Sequence, residues 1–397
     1  MKQTRLWMLA AILILSGSLT VFGQRQQVSD KNSGIETDEQ FTVATLNVDG
    51  LPQKVLIVKI NADGPGEAGT ARIGKYLLKK GYDLVLMQED FNYHNVLSVF
   101  LEDDYNMDTW SGDVGLDGHT IDFLHLQNHR FECDGLMTCW KNDITMTTTA
   151  RTAWQQNFGK FSHANDEMVT KGFRRYEMTL RGGQDIVVYN MHMDASDNED
   201  EMAQNDAKDK EARIAQWIQL KDDILSQLDS RPIIIAGDMN SFYGCDNVKQ
   251  EFIDAINGTG LATVSDVWVE LQQQGVYPAA LTPPINPVPM GMMESGETLD
   301  KILYINPVDG NKIQPVAFSV DRDGYQYDGK PLGDHYPLVA TFSFDQSEKL
   351  VGIESLTTST EGKGSIYTLG GVKVKHQMPK GLYIEQKGER VNKYIVK

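Results

Sequence analysis

The sequence is poor in cysteine and in positive charge. Of its 397 residues, three are cysteine: Cys133, Cys139 and Cys245. None is spaced as CxxC, and their number does not fit a zinc-ligand pattern. An odd count leaves at least one thiol unpaired, and a Cys133–Cys139 bridge stays open. Lys and Arg number 37 against 55 Asp and Glu, a net charge of −18. Nucleic-acid phosphates repel such a chain at long range, and no basic run lies between Phe41 and Phe344. Long hydrophobic runs are also missing. The one apolar stretch, Leu9 to Leu19 behind Lys2 and Arg5, is well short of the ~20 residues of a membrane span. It reads as a secretory signal over 1–23, with cleavage before Gln24.

What remains is globular in composition, with 41% hydrophobic and 23% charged residues, enough to bury a sizeable core. After a polar lead-in over 24–40, Phe41 to Val48 alternates apolar and polar residues as a half-buried strand does. Leu84–Met87, Ile186–Met191, Ile233–Ala236, Leu303–Ile305 and Leu338–Phe344 are short apolar runs with the length of strands. Thr70–Lys80 has helical spacing and ends at Gly81, where a C-cap glycine belongs. Ala207–Leu228 predicts an amphipathic helix with Ala212, Ala215, Ile218, Ile224 and Leu228 on its apolar face. Strands alternating with helices predict a layered α/β sandwich. Gly275–Met293, rich in Pro and closing on Met290, Met292 and Met293, predicts a long loop. Beyond Phe344 a polar linker over 345–352 leads into a Lys-, Gly- and β-rich segment over 353–397, which reads as a separate small β module.

The apolar runs end in chemistry. Asn47 follows the first. Gln88–Glu89 follows Leu84–Met87, and Asn190 and His192 stand at the end of Ile186–Met191. Gly237–Asp238–Met239–Asn240 follows Ile233–Ala236. Asp300 precedes Leu303, and Asp334–His335 precedes Leu338. Asp and Glu suit hard cations, and His moves protons near neutral pH. Each element alone is as well explained by a turn or an ordinary surface group, because Gly, Asp and Asn favour turns. His94, His119, His125, His129 and His163 lack ligand-like spacing and read as ordinary imidazoles. Asp197–Glu201 lacks the glycine and terminal Glu of a calcium loop and reads as a solvated acidic turn.

Taken in order, Asn47, Gln88–Glu89, Asn190–His192, Gly237–Asp238–Asn240, Asp300 and Asp334–His335 resemble the motif set of the endonuclease/exonuclease/phosphatase superfamily, over Phe41 to Phe344. The resemblance implies a four-layered α/β/β/α sandwich with two packed central sheets, and a Mg²⁺-dependent phosphodiesterase for which Mn²⁺ could substitute. It implies that Asn47, Glu89 and Asp334 hold the metal. His335 would activate water, oriented by Asp300. Asp238 would hold the nucleophile or a metal, Asn240 the phosphate, and His192 the phosphorane or leaving oxygen. A catalytically inactive binding module is the competing class, and the intact set argues against it.

Asn47–Val48–Asp49–Gly50–Leu51–Pro52 is similar to the Asn-x-x-Gly-Leu-Pro opening of neutral sphingomyelinases, with Asp49 where those enzymes carry an aromatic. Lys171–Gly172–Phe173 is similar to a segment upstream of their histidine motif, and reads equally well as an exposed strand start. These features imply a phospholipid headgroup ahead of nucleic acid, with 275–293 as a membrane-facing contact. An extracellular nuclease or phosphatase is the alternative. Ile366–Val374 and Met378–Ile384 resemble the C-terminal sorting modules of proteins secreted by Bacteroidetes. They imply engagement of secretion machinery and a location at the cell surface, in the periplasm or outside.

Overall fold

The computed structural model describes residues 40–55, 58–59, 61–111, 133–159, 163–196, 207–279 and 289–344, three strands between 365 and 396, and residues 373–374. The expected signal, the linker, His119, His125, His129, the turn at 197–201 and 280–288 of the Pro-rich loop lie outside the described residues.

Twelve strands build the main body: β1 (Gln40–Asn47), β2 (Leu84–Gln88), β3 (Tyr105–Met107), β4 (Met137–Lys141), β5 (Thr145–Ala153), β6 (Gly172–Thr179), β7 (Asp185–His192), β8 (Ile233–Asp238), β9 (Ala262–Asp266), β10 (Asp300–Pro307), β11 (Ile313–Val320) and β12 (Leu338–Phe344). They form two six-stranded sheets, ordered β11-β12-β1-β2-β4-β3 and β9-β10-β8-β7-β6-β5. Both sheets are mixed: β1 runs parallel to β2 and antiparallel to β12, while β8 runs parallel to β7 and antiparallel to β10.

The period of two along each strand divides the side chains between two cores. Phe41, Val43, Leu84 and Leu86 of the first sheet meet Ile186, Val188, Ile234, Ala236 and Ile302 of the second in the space between the sheets. The alternate residues Ala44, Leu46, Val85 and Met87 face outward onto α1 (Gly66–Lys80), where Ile73 and Leu77 cover them. On the far side Tyr189, Ile233 and Ile235 face Trp217, Leu220 and Ile224 of α2 (Ala207–Ser226). Three buried layers of side chains therefore separate four layers of backbone, α/β/β/α. Each fully buried Leu, Ile or Phe contributes about 1.5–3 kcal/mol, so truncating Ile234, which is fully buried, is expected to cost about 2–5 kcal/mol.

Local signals place the helices. Gly81 adopts a left-handed conformation (φ 67°), and its N–H donates to the Leu77 carbonyl at 3.0 Å, closing α1. In α2 the buried face differs from the expected one. Arg213, Gln216 and Trp217 are buried with Ala212, Leu220 and Ile224, whereas Ala215 and Ile218 line the helix flank. Arg213 is buried because Asp246 takes its guanidinium at 2.9 Å, a pairing that removes the cost of an isolated charge. The Gly275–Met293 loop carries no helix or strand over 275–279 and a short 3₁₀ turn at Pro289–Gly291.

The tail forms a three-stranded antiparallel sheet of Ser365–Thr368, Gly381–Lys387 and Arg390–Val396. Among the described residues no helix is long and apolar enough to cross a membrane. Cys133, Cys139 and Cys245 are buried, and the 133–139 bridge is not formed.

Candidate active site

The sheet registers bring one rim of the sandwich together. Asn47 pairs with Gln88, Asp238 with His192, and Asp238 with Asp300, while Thr45 pairs with Leu338. The parallel pairs end where the antiparallel neighbours begin. Asn47, Gln88, His192, Asp238 and Asp300 also share the strand parity of the core between the sheets. That parity points their side chains into the cleft where apolar packing stops.

Asn47 is the bridge between the sheets. Its Nδ2 donates to Glu89 Oε1 and Asp238 Oδ2, each at 3.0 Å, and its Oδ1 accepts from the Asp49 N–H at 2.9 Å. Glu89 holds a left-handed φ of 57° just beyond β2, which turns the chain out of the sheet. The Gly50 N–H meets the Glu89 carbonyl at 3.1 Å, and a Cβ on Gly50 would stand 2.2 Å from that oxygen. Glycine there lets the two loops that carry Asn47 and Glu89 touch.

His335 Nδ1 lies 2.6 Å from Asp300 Oδ2, and its Nε2 lies 3.7 Å from Asp238 Oδ2. Burial disfavours the imidazolium, yet Asp300 and Asp238 outweigh it and raise His335 well above the ordinary histidine value. Burial pushes Asp300 up to about 6 against the pull of His335. His192 Nε2 stands 3.6 Å from Asp238 Oδ2 and 3.9 Å from Glu89 Oε1. Burial first, then the Lys171 charge, drives His192 well below its ordinary value, so it is neutral. Its buried Nδ1 has no hydrogen-bond partner. Burial opposes ionisation of Asp238, but the two imidazoles hold its carboxyl below the usual range. Asn240, at φ 46°, gives its N–H to Asp238 Oδ1 at 2.9 Å and its Nδ2 to the Met193 carbonyl at 3.1 Å.

Among the described residues, two sets of ligand atoms lie within 4.8 Å of one another: Glu89, His192 and Asp238, and Asp238, Asp300 and His335. Asp334 belongs to neither. Its side chain is exposed, and its charge acts on Glu89. Burial, followed by Asp334, pushes Glu89 up to about 7 although its side chain is 20% exposed. Crowded carboxylates of this kind are answered by a cation, and oxygen donors from Glu89, Asp238 and Asn47 suit a hard divalent one.

Sequence reasoning missed or misplaced several neighbours. Lys171 is not at an exposed strand start. It is 5% exposed, ion-paired with Asp166, and its Nζ donates to the Met193 carbonyl at 3.2 Å. Its charge reaches Glu89 and His192. Asp49 is buried, accepts a hydrogen bond from Asn61 Nδ2, and is pushed up to about 8 by burial, then by Asp334 and Glu89. Its only sequence signal was its position within the Asn47–Pro52 motif. Gly291 lies against His335: an added Cβ would stand 3.1 Å from Cε1 and 3.2 Å from Nδ1. His94 is not a bare surface imidazole, since Asp90 Oδ2 lies 2.6 Å from Nδ1 and Trp110 stacks on the ring at 4.8 Å. The His163 side chain lies outside the description.

No family model matches the chain. The chain is similar to a sphingomyelinase of Mycobacterium bovis, with 27% identity over 310 residues, covering 77% of this chain and 53% of that protein. It therefore spans about half the length of the curated relatives it matches. Among solved structures, an endonuclease/exonuclease/phosphatase family protein from Bacteroides thetaiotaomicron superposes with a TM-score of 0.49 at 17% identity, covering 78% of this chain and 96% of that one. D. rerio TDP2 complexed with a single-strand DNA product gives 0.47 at 15% identity, covering 77% and 100%.

Proposed function

We propose that the chain is a divalent-metal-dependent phosphodiesterase of the endonuclease/exonuclease/phosphatase type. The observation that carries the reading is the convergence of Asn47, Glu89, His192, Asp238, Asp300 and His335 on one rim of the sandwich. Asn47, Glu89 and Asp238 would hold Mg²⁺ or Mn²⁺, which supplies charge neutralisation at a phosphoryl oxygen, while Asp334, expected as a ligand, stands outside that set.

The side chains do the rest. Asp300 fixes the tautomer and orientation of His335 through Nδ1, leaving Nε2 directed at the cleft beside Asp238. There it takes the proton of an attacking water, which Asp238 orients. Glu89 and Asp238 would hold the cation, whose charge would offset part of the carboxylate field on His335. Neutral His192 donates a hydrogen bond to the phosphorane or the leaving oxygen. An amide carries two N–H donors, so Asn240 has one for a phosphate oxygen beside the one given to Met193. Water attacks phosphorus directly, the P–O bond to the leaving group breaks, and no covalent enzyme intermediate forms.

The substrate in this reading is a phospholipid headgroup of the sphingomyelin kind. The similarity to sphingomyelinases, the Gly50–Leu51–Pro52 opening and the net charge of −18 support it. Removal of a signal over 1–23, export through the segment 353–397, and membrane contact through 275–293 complete the proposal of a secreted or surface enzyme. The test is a panel of sphingomyelin, other phospholipids, inositol phosphates, DNA and bis-p-nitrophenyl phosphate, each with Mg²⁺ and with chelator. Metal-dependent release from sphingomyelin supports the reading. Ready cutting of DNA with every phospholipid left intact replaces it with a nuclease.

A further inference from the structure

Glu89 stands in a backbone conformation that its neighbours must impose. A left-handed φ of 57° is costly for a residue with a Cβ, and it persists only where surrounding contacts hold it. The side chain is 20% exposed and meets the Asn47 amide at 3.0 Å, so its carboxylate is aimed mainly from the backbone. That backbone is pinned at the next residue. The Asp90 N–H donates to the Gly135 carbonyl at 2.9 Å, and the Phe91 N–H donates to the Glu89 carbonyl at 2.8 Å. Trp110 Nε1 donates to the Asp90 carbonyl at 2.8 Å, and His94 Nδ1 lies 2.6 Å from Asp90 Oδ2. Asp90 is 1% exposed, with its N–H, its carbonyl and its carboxylate all engaged. The two side chains that reach it also brace each other. The His94 and Trp110 rings stack at 4.8 Å with an interplanar angle of 1°. His94 opens the short helix His94–Ser98 and Trp110 follows β3, so separate segments meet at Asp90.

We propose that Asp90, His94 and Trp110 are positioning residues: they form a lock that holds Glu89 in its left-handed turn and so fixes where its carboxylate sits in the cleft. The proposal rests on the phosphodiesterase reading for one thing, the divalent cation that Glu89 would hold. Neither Asp90 nor His94 belongs to the two sets of clustered ligand atoms, so both act through Glu89. Each part has its own chemistry. A buried carboxylate needs a donor, and His94 supplies one at Nδ1. An indole can only donate, and Trp110 spends its N–H on the Asp90 carbonyl. The parallel stack couples the two rings, so rotation of one disturbs the hydrogen bond of the other. Released from the lock, Glu89 relaxes toward a negative φ and its carboxylate turns away from Asn47 and Asp238. The competing role is packing, since Trp110 also lies against the core beneath α1. The two roles make opposite demands on position 94: the lock needs a donor there, whereas packing needs a ring.

The experiment titrates Mn²⁺ into the full chain by calorimetry and, in the metal-free chain, follows hydrogen exchange at the Asp90 and Phe91 amides by NMR. His94→Phe keeps the ring and loses the donor. His94→Asn keeps an N–H near the Nδ1 position and loses the ring. Trp110→Phe keeps a ring for the stack and loses the indole N–H. His94→Phe and Trp110→Phe are expected to weaken Mn²⁺ binding about 10-fold, the lower end of the range for groups that orient a metal ligand. Exchange at the two amides should quicken by about the same factor, since both report local opening. His94→Asn should stay within about 3-fold of the wild type in both readouts, a smaller change than losing an orienting group. The reverse order, with His94→Phe like the wild type and His94→Asn impaired, overturns the lock and leaves packing. Wild-type values in all three variants overturn it as well. If His94→Phe does not fold, Trp110→Phe set against His94→Asn decides. A wild-type chain that binds no Mn²⁺ while its amides respond as expected keeps the lock and sinks only the metal-dependent reading. Amides unmoved in the folded variants overturn the lock even in a metal-dependent enzyme.

Discussion

Gln88 Nε2 donates to Asn190 Oδ1 at 2.8 Å, joining the ends of β2 and β7 across the two sheets directly beneath the rim that carries Asn47 and Asp238. Asn190 Nδ2 lies within 3.1 Å of the Met87 and Met137 carbonyls and 3.0 Å of Thr138 Oγ1, all in the first sheet. The pair ties the sheets together where apolar packing gives way to the polar cleft. Asn190→Ala removes the acceptor of one Gln88 N–H and the donor to these buried acceptors, leaving Gln88 its bonds to Thr45 and the Leu86 carbonyl. It is expected to cost about 1–3 kcal/mol, the scale of a buried unsatisfied polar group. Urea denaturation measures this, and a midpoint equal to that of the wild type would refute the role.

Asp300→Asn removes the carboxylate that both orients and charges His335. Turnover is expected to fall by at least ~10²-fold, the lower end of the range for positioned proton transfer. The charge of Asp300 raises the His335 pKa, so its loss lowers that value. Imidazole NMR titration of the wild type and the variant reads this directly, and an unchanged or raised value contradicts the assignment.

Chelation should abolish turnover, and Mg²⁺ or Mn²⁺ should restore it. Cation binding is also expected to stabilise the fold, by about 2.7 kcal/mol at 100-fold excess over Kd. Glu89 is pushed up to about 7 by burial and by Asp334, so protons compete with the cation below that pH. Affinity should therefore weaken as pH falls from 8 to 6, by up to roughly tenfold per unit for one proton displaced. Calorimetric titration at the two pH values checks the sign, and equal or tighter binding at pH 6 contradicts it.

Gly291 adopts a left-handed φ of 62° with its open face on the His335 ring. Gly291→Ala strains the backbone and presses a methyl group against the imidazole. The expected result is a fall in kcat of about 10-fold with KM little changed, because small displacements of a catalytic group are costly. Steady-state kinetics separate the two constants, and a rise confined to KM would place the loop at the substrate instead.

The inner strands were legible because they are apolar runs whose ends carry the motif residues. Leu338–Phe344 was expected with the bounds observed, and β7, β8 and β10 extend the expected runs by one to three residues at an end. The outer strands were not legible. β5, a sheet edge, is exposed or half-exposed throughout and Thr-rich, so no apolar period marks it. β6 carries buried Arg174 and Arg175, and Arg174 is admitted only because Asp134 and Asp108 pair with it. β11 contains Pro315 beside a register shift, and proline argues against a strand until an edge position and a bulge admit it. The site residues were named from their order along the chain, which says nothing of what stands between them. Gly291 enters only through tertiary contact, and no local pattern announces it; Lys171 was marked by its Lys171–Gly172–Phe173 segment, but its burial was not.

β1 pairs along its length with β12, Gln40 opposite Ser343 and Thr45 opposite Leu338, in the interior of a sheet. The first strand of the sandwich therefore waits for the last before that sheet is complete. The Asn47–Asp238 contact likewise closes a loop of 191 residues. Such long-range closure is slow compared with local helix formation. That sheet, and with it the rim it shares with the second sheet, is complete only once β12 has joined β1. A nascent chain shortened by even its final strand exposes the apolar flank of β1 and has no assembled site. The rim of the sandwich is thus the last part of the fold to be completed, and its completion depends on one strand joining another far from it in sequence.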